Sequence, residues 1–576
     1  MAVFTTRPVI QGRRGVVTAG HYLAAAAGFR IMEAGGNAVD AAVATGFCLE
    51  VLEPHLTGIG GEVPILIYSS RQGRVFSLSG QGVAPRAATI DWFRSRGISL
   101  IPGDGLLAAT VPAAVDTFIT ALAEFGTLPL GQVLAPALSL ASNGFPMYRT
   151  LRDNIAANAA RYREEWPTTA RIFLPQGRVP AVGEILRQPD WAETFEKLVR
   201  AEHDARGRGR AAALQAARDV FYRGEIAERI AAFAQQTRVR DATGEAHAGL
   251  LTYDDLATWR ARIEDPVTTN YRGITVCKCG PWTQGPVFLQ QLNLLEGYDL
   301  AALGHNSPDY IHIVTEAAKL AFADRERYYG DPLFDDVPLA MLLSKEYAAR
   351  RRALIDPARA SLEQGAGEAA PAPQTGEALP YGGDTTHLDV IDAEGNMVSA
   401  TPSGGWIPSS PVIDGLGFPL GTRAQMFYLE PGRPNALEPG KRPRTTLTPS
   451  LALKEGKPWL AFGTPGGDCQ DQWTLQFFLN VVDFGMDLQE AIDAPTFHTQ
   501  HFPSSFYPRQ ALPGRLNVEG RIAAETQQAL RERGHDLAVS GDWEHGRVMG
   551  IRYNTETGVI AGAASPRLET GYCIGW

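Results

Sequence analysis

An abrupt change in composition near residue 384 constrains this 576-residue chain more than any other feature of its sequence. Residues 358–383 consist mainly of Ala, Gly, Pro, Glu and Gln, a composition that lacks the apolar surface needed to form a packed element. Directly after them, residues 385–392 show the alternation that is typical of a β-strand. The sequence therefore predicts a linker without fixed structure that leads straight into a strand beginning with threonine.

The strand after this linker is predicted to form the first half of a β-hairpin. Residues 393–396 (Ala-Glu-Gly-Asn) are a turn signal, and a returning strand follows them. A turn centred on the Glu-Gly pair would place Thr385 opposite Gly404, with Ser403 diagonally beside it. Cross-strand and diagonal neighbours lie within side-chain reach, so we expect the Ser403 hydroxyl to approach that of Thr385.

A threonine at this junction has a specific chemical potential. Its hydroxyl alone is a weak nucleophile and needs an adjacent base. The threonine's own α-amine is one such base, and it exists only if the peptide bond between Asp384 and Thr385 is cut. A free α-amine titrates at about pH 8, so a useful fraction is unprotonated at neutral pH. The alternative is an ordinary strand start, and the junction by itself favours that alternative.

Two further motifs supply groups that acyl-transfer chemistry uses. Residues 463–468 (Gly-Thr-Pro-Gly-Gly-Asp) form a glycine-rich loop before an apolar helix. Successive glycine amides ahead of a helix N-terminus form an anion-binding site suited to the oxyanion of a tetrahedral intermediate. Residues 441–449 place the paired hydroxyls of Thr445 and Thr446 before a predicted strand. Each motif alone is weak.

Together and in this order, the motifs resemble the γ-glutamyltransferase family of N-terminal-nucleophile hydrolases. The resemblance covers nearly the whole chain. Its most specific part is residues 384–387 (Asp-Thr-Thr-His) with the Asp-x-x-Gly-Asn turn downstream. The other matching segments are residues 33–43, 58–61, 111–115, 221–225, 271–273, 319–325 and 330–332.

The resemblance implies an α+β fold, a four-layer αββα sandwich of the N-terminal-nucleophile hydrolase type. It also implies cleavage between Asp384 and Thr385, which gives a large fragment, residues 1–384, and a small fragment, residues 385–576. The two fragments are expected to stay associated as one intertwined fold. Neither a metal nor an organic cofactor is expected, and the expected partner is a small-molecule amide or peptide substrate.

The resemblance also implies the catalytic residues. Thr385 matches the family's nucleophile and new N-terminus. Ser403 matches a second threonine that hydrogen-bonds the nucleophile, and it keeps the hydroxyl. Gly466 and Gly467 match the two glycines of the oxyanion hole. The catalytic groups that the family requires are therefore all expected in this chain.

The contacts to the substrate carboxylate differ from the family pattern. Thr445 and Thr446 match a pair of serines that contact this carboxylate. The family's arginine for the same group is replaced by Gln81, within residues 79–85 (Ser-Gly-Gln-Gly-Val-Ala-Pro). An amide can donate a hydrogen bond, but it brings neither the charge nor the bidentate fork of a guanidinium.

The contacts to the substrate amine differ as well. Met426 occupies the position of the family's acidic residue, and Gly405 occupies that of an asparagine. A free α-amino acid head group would lose charged partners on both sides, and losing one such partner at a buried site is costly. Arg423, near this altered pocket, is a candidate ligand for a carboxylate or an oxamate-like acid, with a structural arginine as the alternative.

The favoured function is a self-processing amidohydrolase or acylase that forms an acyl-enzyme on Thr385 and acts on a substrate without the free glutamyl head group. The first alternative is a genuine γ-glutamyltransferase or glutathione hydrolase with an altered head-group pocket. The second is an uncleaved, non-catalytic binding protein on the same scaffold. The sequence leaves open the acyl group, the choice between hydrolysis and transfer, and the oligomeric state.

Composition and motif spacing argue against several other classes. The net charge is −10 with no strong concentration of Lys and Arg, which argues against nucleic acid as a partner. No run of about twenty apolar residues predicts a membrane span. Five cysteines without zinc spacing and an N-terminus without a signal pattern predict a cytoplasmic protein. His387 shares a strand face with Thr385, but we expect it to be structural. The polar turn with Asp542, Glu544 and His545 is expected to bind no metal.

Overall fold

A computed structural model describes residues 4–363 and 385–576. Most of the predicted linker, and Asp384 with it, lie outside the described residues. None of the helices in these two ranges combines the length and the apolar character needed to cross a bilayer.

Helices and strands alternate along the chain. The strands are β1 (Ile10–Gly12), β2 (Gly15–Ala19), β3 (Ile65–Ser69), β4 (Arg74–Leu78), β5 (Phe145–Pro146), β6 (Ile185–Leu186), β7 (Val239–Arg240), β8 (Ala246–His247), β9 (Ile263–Glu264), β10 (Val267–Tyr271), β11 (Ile274–Lys278), β12 (Leu388–Asp392), β13 (Met397–Ala400), β14 (Ser450–Lys454), β15 (Lys457–Gly463), β16 (Phe497–Thr499), β17 (Arg515–Glu519), β18 (Asp536–Ser540), β19 (Met549–Asn554), β20 (Val559–Ala564) and β21 (Tyr572–Gly575).

The α-helices are α1 (Tyr22–Glu33), α2 (Ala38–Leu52), α3 (Ile90–Arg94), α4 (Ala114–Phe125), α5 (Leu130–Asn143), α6 (Arg149–Glu164), α7 (Pro167–Phe173), α8 (Pro189–Ala205), α9 (Arg210–Tyr222), α10 (Glu225–Gln236), α11 (Tyr253–Thr258), α12 (Gly285–Leu295), α13 (Leu300–Leu303), α14 (Pro308–Tyr328), α15 (Leu339–Leu342), α16 (Lys345–Arg352), α17 (Gln470–Val482), α18 (Leu488–Asp493) and α19 (Ala524–Glu532).

Two seven-stranded antiparallel sheets form the centre of the protein. One has the order β1-β20-β19-β15-β14-β11-β10, and the other has the order β21-β2-β12-β13-β3-β4-β9. Each sheet contains strands from both sides of residue 384. Separation of the two predicted fragments would therefore break both sheets. The predicted mixture of helices and sheets is confirmed.

Three large groups of buried side chains hold these elements together. The first joins α1, α2 and α4 to the sheet that contains β12. The second joins α12, α14 and α17 to the other sheet. The third contains side chains of both sheets, among them Leu66, Ile391, Leu451 and Ile551. Buried side chains thus join helices to each sheet, and they join one sheet to the other.

Local sequence signals fix the ends of several helices. The side chain of Asn37 accepts hydrogen bonds from the first turn of α2, and the Asp40 side chain completes a capping box. The side chain of Ser307 caps α14, and Pro308 occupies its first turn. The break between α1 and α2 falls at residues 35–37 (Gly-Gly-Asn).

The hairpin of β12 and β13 forms, but its predicted register is wrong by one residue. Thr385 bridges to Ser403 and not to Gly404. The reason is the turn, which contains three residues instead of two: Asp392 and Asn396 close it with a 3.2 Å backbone hydrogen bond. The Asp392 carboxylate also accepts from the backbone of Asn396 at 3.0 Å. This register brings the two hydroxyls directly opposite each other.

Candidate active site

Thr385 and Ser403 face each other across the start of the hairpin. Their hydroxyl oxygens lie 3.1 Å apart, and both residues are fully buried. Ser403 is fixed from its other side by Glu62, because the two residues exchange backbone hydrogen bonds of 2.8 and 2.9 Å. The predicted approach of the two hydroxyls is present, and the backbone on both sides holds it.

Arg423 contacts Ser403 directly. Its Nη2 donates to the Ser403 hydroxyl oxygen at 2.7 Å. The same guanidinium forms a buried ion pair with the carboxylate of Glu62. Arg423 lies in a short 3₁₀ segment, Arg423–Met426, and is fully buried. The contacts agree with the structural alternative for this residue, and its predicted contact with a substrate carboxylate stays a prediction.

Glycines allow this close packing around Ser403. A Cβ added to Gly61 would lie 2.2 Å from the carbonyl oxygen of Ser403. Gly404 has φ +76°, and its added Cβ would lie 2.6 Å from a carboxylate oxygen of Glu62. Both positions therefore require glycine, one for space and one for space and conformation. The glycine turn at residues 58–61 is thus part of the site.

Gly466 and Gly467 form a tight turn before α17. Their φ angles are +129° and +50°, and Gly467 opens a 3₁₀ turn that runs into α17. A Cβ on Gly466 would lie 2.3 Å from the ring of Trp473. The predicted loop ahead of a helix is present. The assignment of its amides to an oxyanion hole stays a prediction.

A buried ion pair braces this glycine turn. The Arg325 guanidinium on α14 pairs with the Asp468 carboxylate, which also accepts from the backbone and hydroxyl of Ser505 at 2.8 and 2.7 Å. Arg325 also donates to the side-chain oxygen of Gln284 at 2.9 Å. Sequence reasoning assigned no role to these residues, although Arg325 ends one of the matching segments. The sequence contains the matching segment that ends at Arg325, but it does not indicate that Asp468, on a distant segment, is the partner of Arg325.

Thr445 and Thr446 differ in their hydrogen bonding. Thr445 is held through its backbone, which donates to the Trp282 carbonyl and accepts from Gln284, both at 2.9 Å. The hydroxyl of Thr446 is buried and finds no hydrogen-bond partner within the described chain. A buried hydroxyl without a partner is unfavourable. Thr446 therefore has an unused polar group, and the predicted contact of Thr445 and Thr446 with substrate stays a prediction.

The family assignment follows from comparison with known proteins. The family described as Gamma-glutamyltranspeptidase matches residues 24–574, nearly the entire chain. The chain belongs to the gamma-glutamyltranspeptidase family. It is therefore a hydrolase or transferase of this family.

Three relatives show the range of names among similar family members. The solved structure of LmbA2991HD is 46% identical, with 100% of both chains covered and a TM-score of 0.95. A cephalosporin acylase from Bacillus halodurans is 32% identical over 100% of this chain and 98% of its own, with a TM-score of 0.84. The glutathione hydrolase-like YwrD proenzyme of Bacillus subtilis (strain 168) is 35% identical over 96% of this chain and 97% of its own.

Gln81, the residue at the position of the family's arginine, is fully buried in this gamma-glutamyltranspeptidase family member. Its amide nitrogen donates to the carbonyl of Gly82 at 3.2 Å, and its amide oxygen has no hydrogen-bond partner within the described residues. Gln81 lines a cleft of about 270 Å³ together with Arg86, Arg262 and Arg442. Its predicted contact with substrate stays a prediction.

Two buried side chains lie near Thr385: Glu53, to which the sequence assigned no role, and His387. The Glu53 carboxyl lies beside the hydroxyl of Thr386, and burial raises the pKa of Glu53 to about 7, against the opposing effect of that hydroxyl. His387 uses both ring nitrogens, with Thr401 at 3.0 Å and Asp389 at 3.1 Å. These contacts agree with the expected structural role of His387.

One cluster has the composition of a metal site but is already occupied by protein hydrogen bonds. His312, Glu316 and His535 offer ligand atoms within 4.8 Å of one another. The two imidazoles are hydrogen-bonded to each other at 2.9 Å, and the Lys319 ammonium lies 2.6 Å from Glu316. In the polar turn that contains His545, the Glu544 carboxylate accepts from the backbone at 2.8 Å.

Proposed function

We propose that this protein cleaves itself between Asp384 and Thr385 and then uses Thr385 to hydrolyse amide bonds or transfer acyl groups. The observation that carries the proposal is the buried 3.1 Å contact between the hydroxyls of Thr385 and Ser403. The name proenzyme on its Bacillus subtilis relative supports the processing step. Fragments 1–384 and 385–576 would stay together, because each central sheet contains strands of both.

The proposed processing step needs only the chain itself and water. The Thr385 oxygen attacks the carbonyl carbon of Asp384, and the peptide nitrogen of Thr385 leaves that carbon and takes up a proton. An ester then joins Asp384 to the Thr385 oxygen. Water hydrolyses this ester, which releases the Asp384 carboxylate and restores the hydroxyl beside a new α-amine.

In the proposed mature enzyme, this α-amine accepts the hydroxyl proton as Thr385 attacks a substrate amide. The amides of Gly466 and Gly467 stabilise the oxyanion of the tetrahedral intermediate, which is usually a large contribution to rate. The protonated amine returns its proton to the leaving nitrogen. Water or an acceptor amine then takes the acyl group from Thr385.

The proposed acyl group lacks a free glutamyl head group. A glutamyl α-carboxylate would meet the Gln81 amide where the family has a guanidinium. A glutamyl α-amine would meet Met426, which is fully buried with its sulfur 3.9 Å from Arg423. A thioether cannot neutralise an ammonium group. The acylase name of the Bacillus halodurans relative supports the same assignment.

A series of three p-nitroanilides tests this substrate class. The γ-glutamyl, glutaryl and butyryl compounds share the scissile amide and lose first the amine and then the carboxylate. We expect kcat/KM for glutaryl or butyryl anilide to exceed that for γ-glutamyl anilide by at least about tenfold, the order expected when an ammonium loses its charged partner. A preference for the γ-glutamyl compound would favour a genuine γ-glutamyltransferase instead.

We also propose that the layers follow the four-layer αββα arrangement of N-terminal-nucleophile hydrolases. The support is the set of three buried clusters, one between the sheets and one between each sheet and its helices. The nucleophile would then lie at the end of β12, between the layers. An experimental structure with a helix layer missing from either sheet would contradict this arrangement.

A further inference from the structure

We propose that Arg423, held by Glu62, is a positioning residue that fixes the direction in which the Ser403 hydroxyl donates its hydrogen to Thr385. The inference rests on the proposed role of Thr385 as nucleophile. It concerns a buried ion pair, Arg423 with Glu62, which lies one side chain away from the reacting oxygen.

The geometry forms a chain of three contacts. The Glu62 carboxylate pairs with the Arg423 guanidinium. Nη2 of Arg423 lies 2.7 Å from the Ser403 oxygen, and that oxygen lies 3.1 Å from the Thr385 oxygen. The exposure of each of the four residues is 1% or less, so bulk water does not screen these contacts.

The hydrogens that each group carries give this series of contacts a direction. A guanidinium carries only donors, and a serine hydroxyl carries one hydrogen and two lone pairs. The contact from Arg423 therefore occupies a lone pair of Ser403 and does not use its hydrogen. We assign that hydrogen to the Thr385 oxygen, which then acts as the acceptor. With this orientation, the hydrogen of Thr385 points away from Ser403, toward a base.

The charge arrangement strengthens the bond from Ser403 to Thr385. A donor polarised by a charged neighbour makes a stronger hydrogen bond, and hydrogen bonds in a chain reinforce one another. As Thr385 loses its proton to the α-amine, negative charge grows on its oxygen, and the Ser403 hydrogen stabilises that charge. No proton leaves Ser403 or Arg423 in this step, so both return unchanged.

Glu62 holds the Arg423 guanidinium in place beside Ser403 and neutralises its charge. The guanidinium is also held by aromatic rings, 4.9 Å from the Trp406 centroid and 5.8 Å from that of Phe506. A buried charge without a partner is strongly unfavourable, and the chain itself supplies the partner here. We therefore assign the guanidinium to Ser403 and Glu62 rather than to a substrate carboxylate.

A double-mutant cycle tests the assignment on the mature protein. We expect Arg423→Gln to lower kcat for the best p-nitroanilide about tenfold with KM changed less than about twofold, because the affected bond strengthens in the transition state. In a Ser403→Ala background, Arg423→Gln should lower kcat by less than about twofold more, because the residue through which it acts is gone. The proposal is overturned if the double variant loses kcat by the product of the two single-variant losses. A rise in KM without a change in kcat, confined to carboxylate-bearing substrates, would also overturn it.

Glu62→Gln gives a second test that remains usable if Arg423→Gln does not fold. The unpaired positive guanidinium would disfavour the protonated Thr385 amine, so the rising limb of the kcat/KM profile should move to lower pH by about half a unit. Arg423→Lys should recover part of the kcat lost in Arg423→Gln, because it restores a charged donor. An unmoved limb in Glu62→Gln contradicts the positioning role. The parent protein separates the two proposals, because absence of a Thr385 N-terminus there would overturn the nucleophile assignment itself.

Discussion

The hydroxyl of Thr386, the residue after the proposed nucleophile, lies beside the buried carboxyl of Glu53. Only 2% of Glu53 is exposed, and a Cβ on Gly20 would collide with both side chains, at 2.2 Å from the Thr386 hydroxyl. Burial raises the pKa of Glu53 to about 7. This carboxyl therefore changes its charge in the folded protein within the pH range in which the enzyme is expected to work.

The raised pKa of Glu53 predicts a loss of stability with rising pH. Between pH 4.5 and 7 the folded protein holds a proton on Glu53 that the unfolded chain releases, so the parent loses stability as the pH rises through this range. The total is of order 3 kcal/mol. We expect Glu53→Gln to lose less thermal stability than the parent between pH 5 and pH 8, measured as the midpoint of thermal unfolding.

Ser410→Ala is the control for that experiment. It removes a buried hydroxyl that has no partner in the described chain and does not titrate between pH 5 and pH 8. Its substitution should shift the midpoint equally at the two pH values. If the midpoints of Glu53→Gln and the parent fall in parallel as the pH rises, the pH dependence of stability does not come from Glu53.

The contact between Thr385 and Ser403 predicts a graded response to two substitutions. Thr385→Ala should abolish both processing and turnover, because it removes the nucleophile. Ser403→Ala should slow both, by about 10- to 100-fold, because it removes one hydrogen bond to the reacting oxygen. The measurements are the fraction of cleaved chain over time and the kcat of the cleaved protein. Ser410→Ala, which removes a buried hydroxyl without a partner in the described chain, is the control. An unaffected Ser403→Ala would remove Ser403 from the mechanism.

The glycine turn before α17 predicts a selective effect of Gly466→Ala. The new Cβ would collide with the Trp473 ring, and the turn amides would move. We expect kcat to fall by about 100-fold or more, the loss typical of a displaced oxyanion donor. Gly440→Ala is the control, since Gly440 also has positive φ, +77°, but no atom lies within 4 Å of its added Cβ. Equal kcat values for the two variants would contradict the oxyanion assignment.

The unused hydroxyl of Thr446 predicts a binding effect without a stability effect. Thr446→Val keeps the shape and removes a buried hydroxyl that has no hydrogen-bond partner within the described chain, so thermal stability should be unchanged or higher. If the hydroxyl contacts substrate, KM should rise about 5- to 10-fold. Thr474→Val is the opposite control, because its hydroxyl donates to the Gln470 carbonyl at 2.6 Å and its loss should lower stability. An unchanged KM in Thr446→Val would remove the residue from the substrate pocket.

The sequence predicted local features of the site well, because they depend on short segments. The hairpin and the glycine loop before α17 both follow from turn signals within a few residues. The one-residue error in register arose from the Asp392 carboxylate, which stabilises a three-residue turn. A shift of one residue is within the ambiguity of turn signals, yet it decides that Ser403 lies directly opposite Thr385.

The long-range pairs could not be predicted in the same way. Arg423 pairs with Glu62, which is 361 positions away in the sequence, and Arg325 pairs with Asp468, which is 143 positions away. Each charge taken alone fits a surface or ligand role. Only the folded arrangement of the sheets and loops brings the partners together, and it turns Arg423 from a candidate substrate ligand into a neighbour of Ser403.

The intact mass of the purified protein under denaturing conditions shows whether the chain cuts itself before Thr385. We expect two species of about 41 and 21 kDa, in proportion to residues 1–384 and 385–576 of the 62.2 kDa chain, with the smaller beginning Thr-Thr-His-Leu. A single 62.2 kDa chain that stays uncut over days and turns over no amide would contradict this expectation.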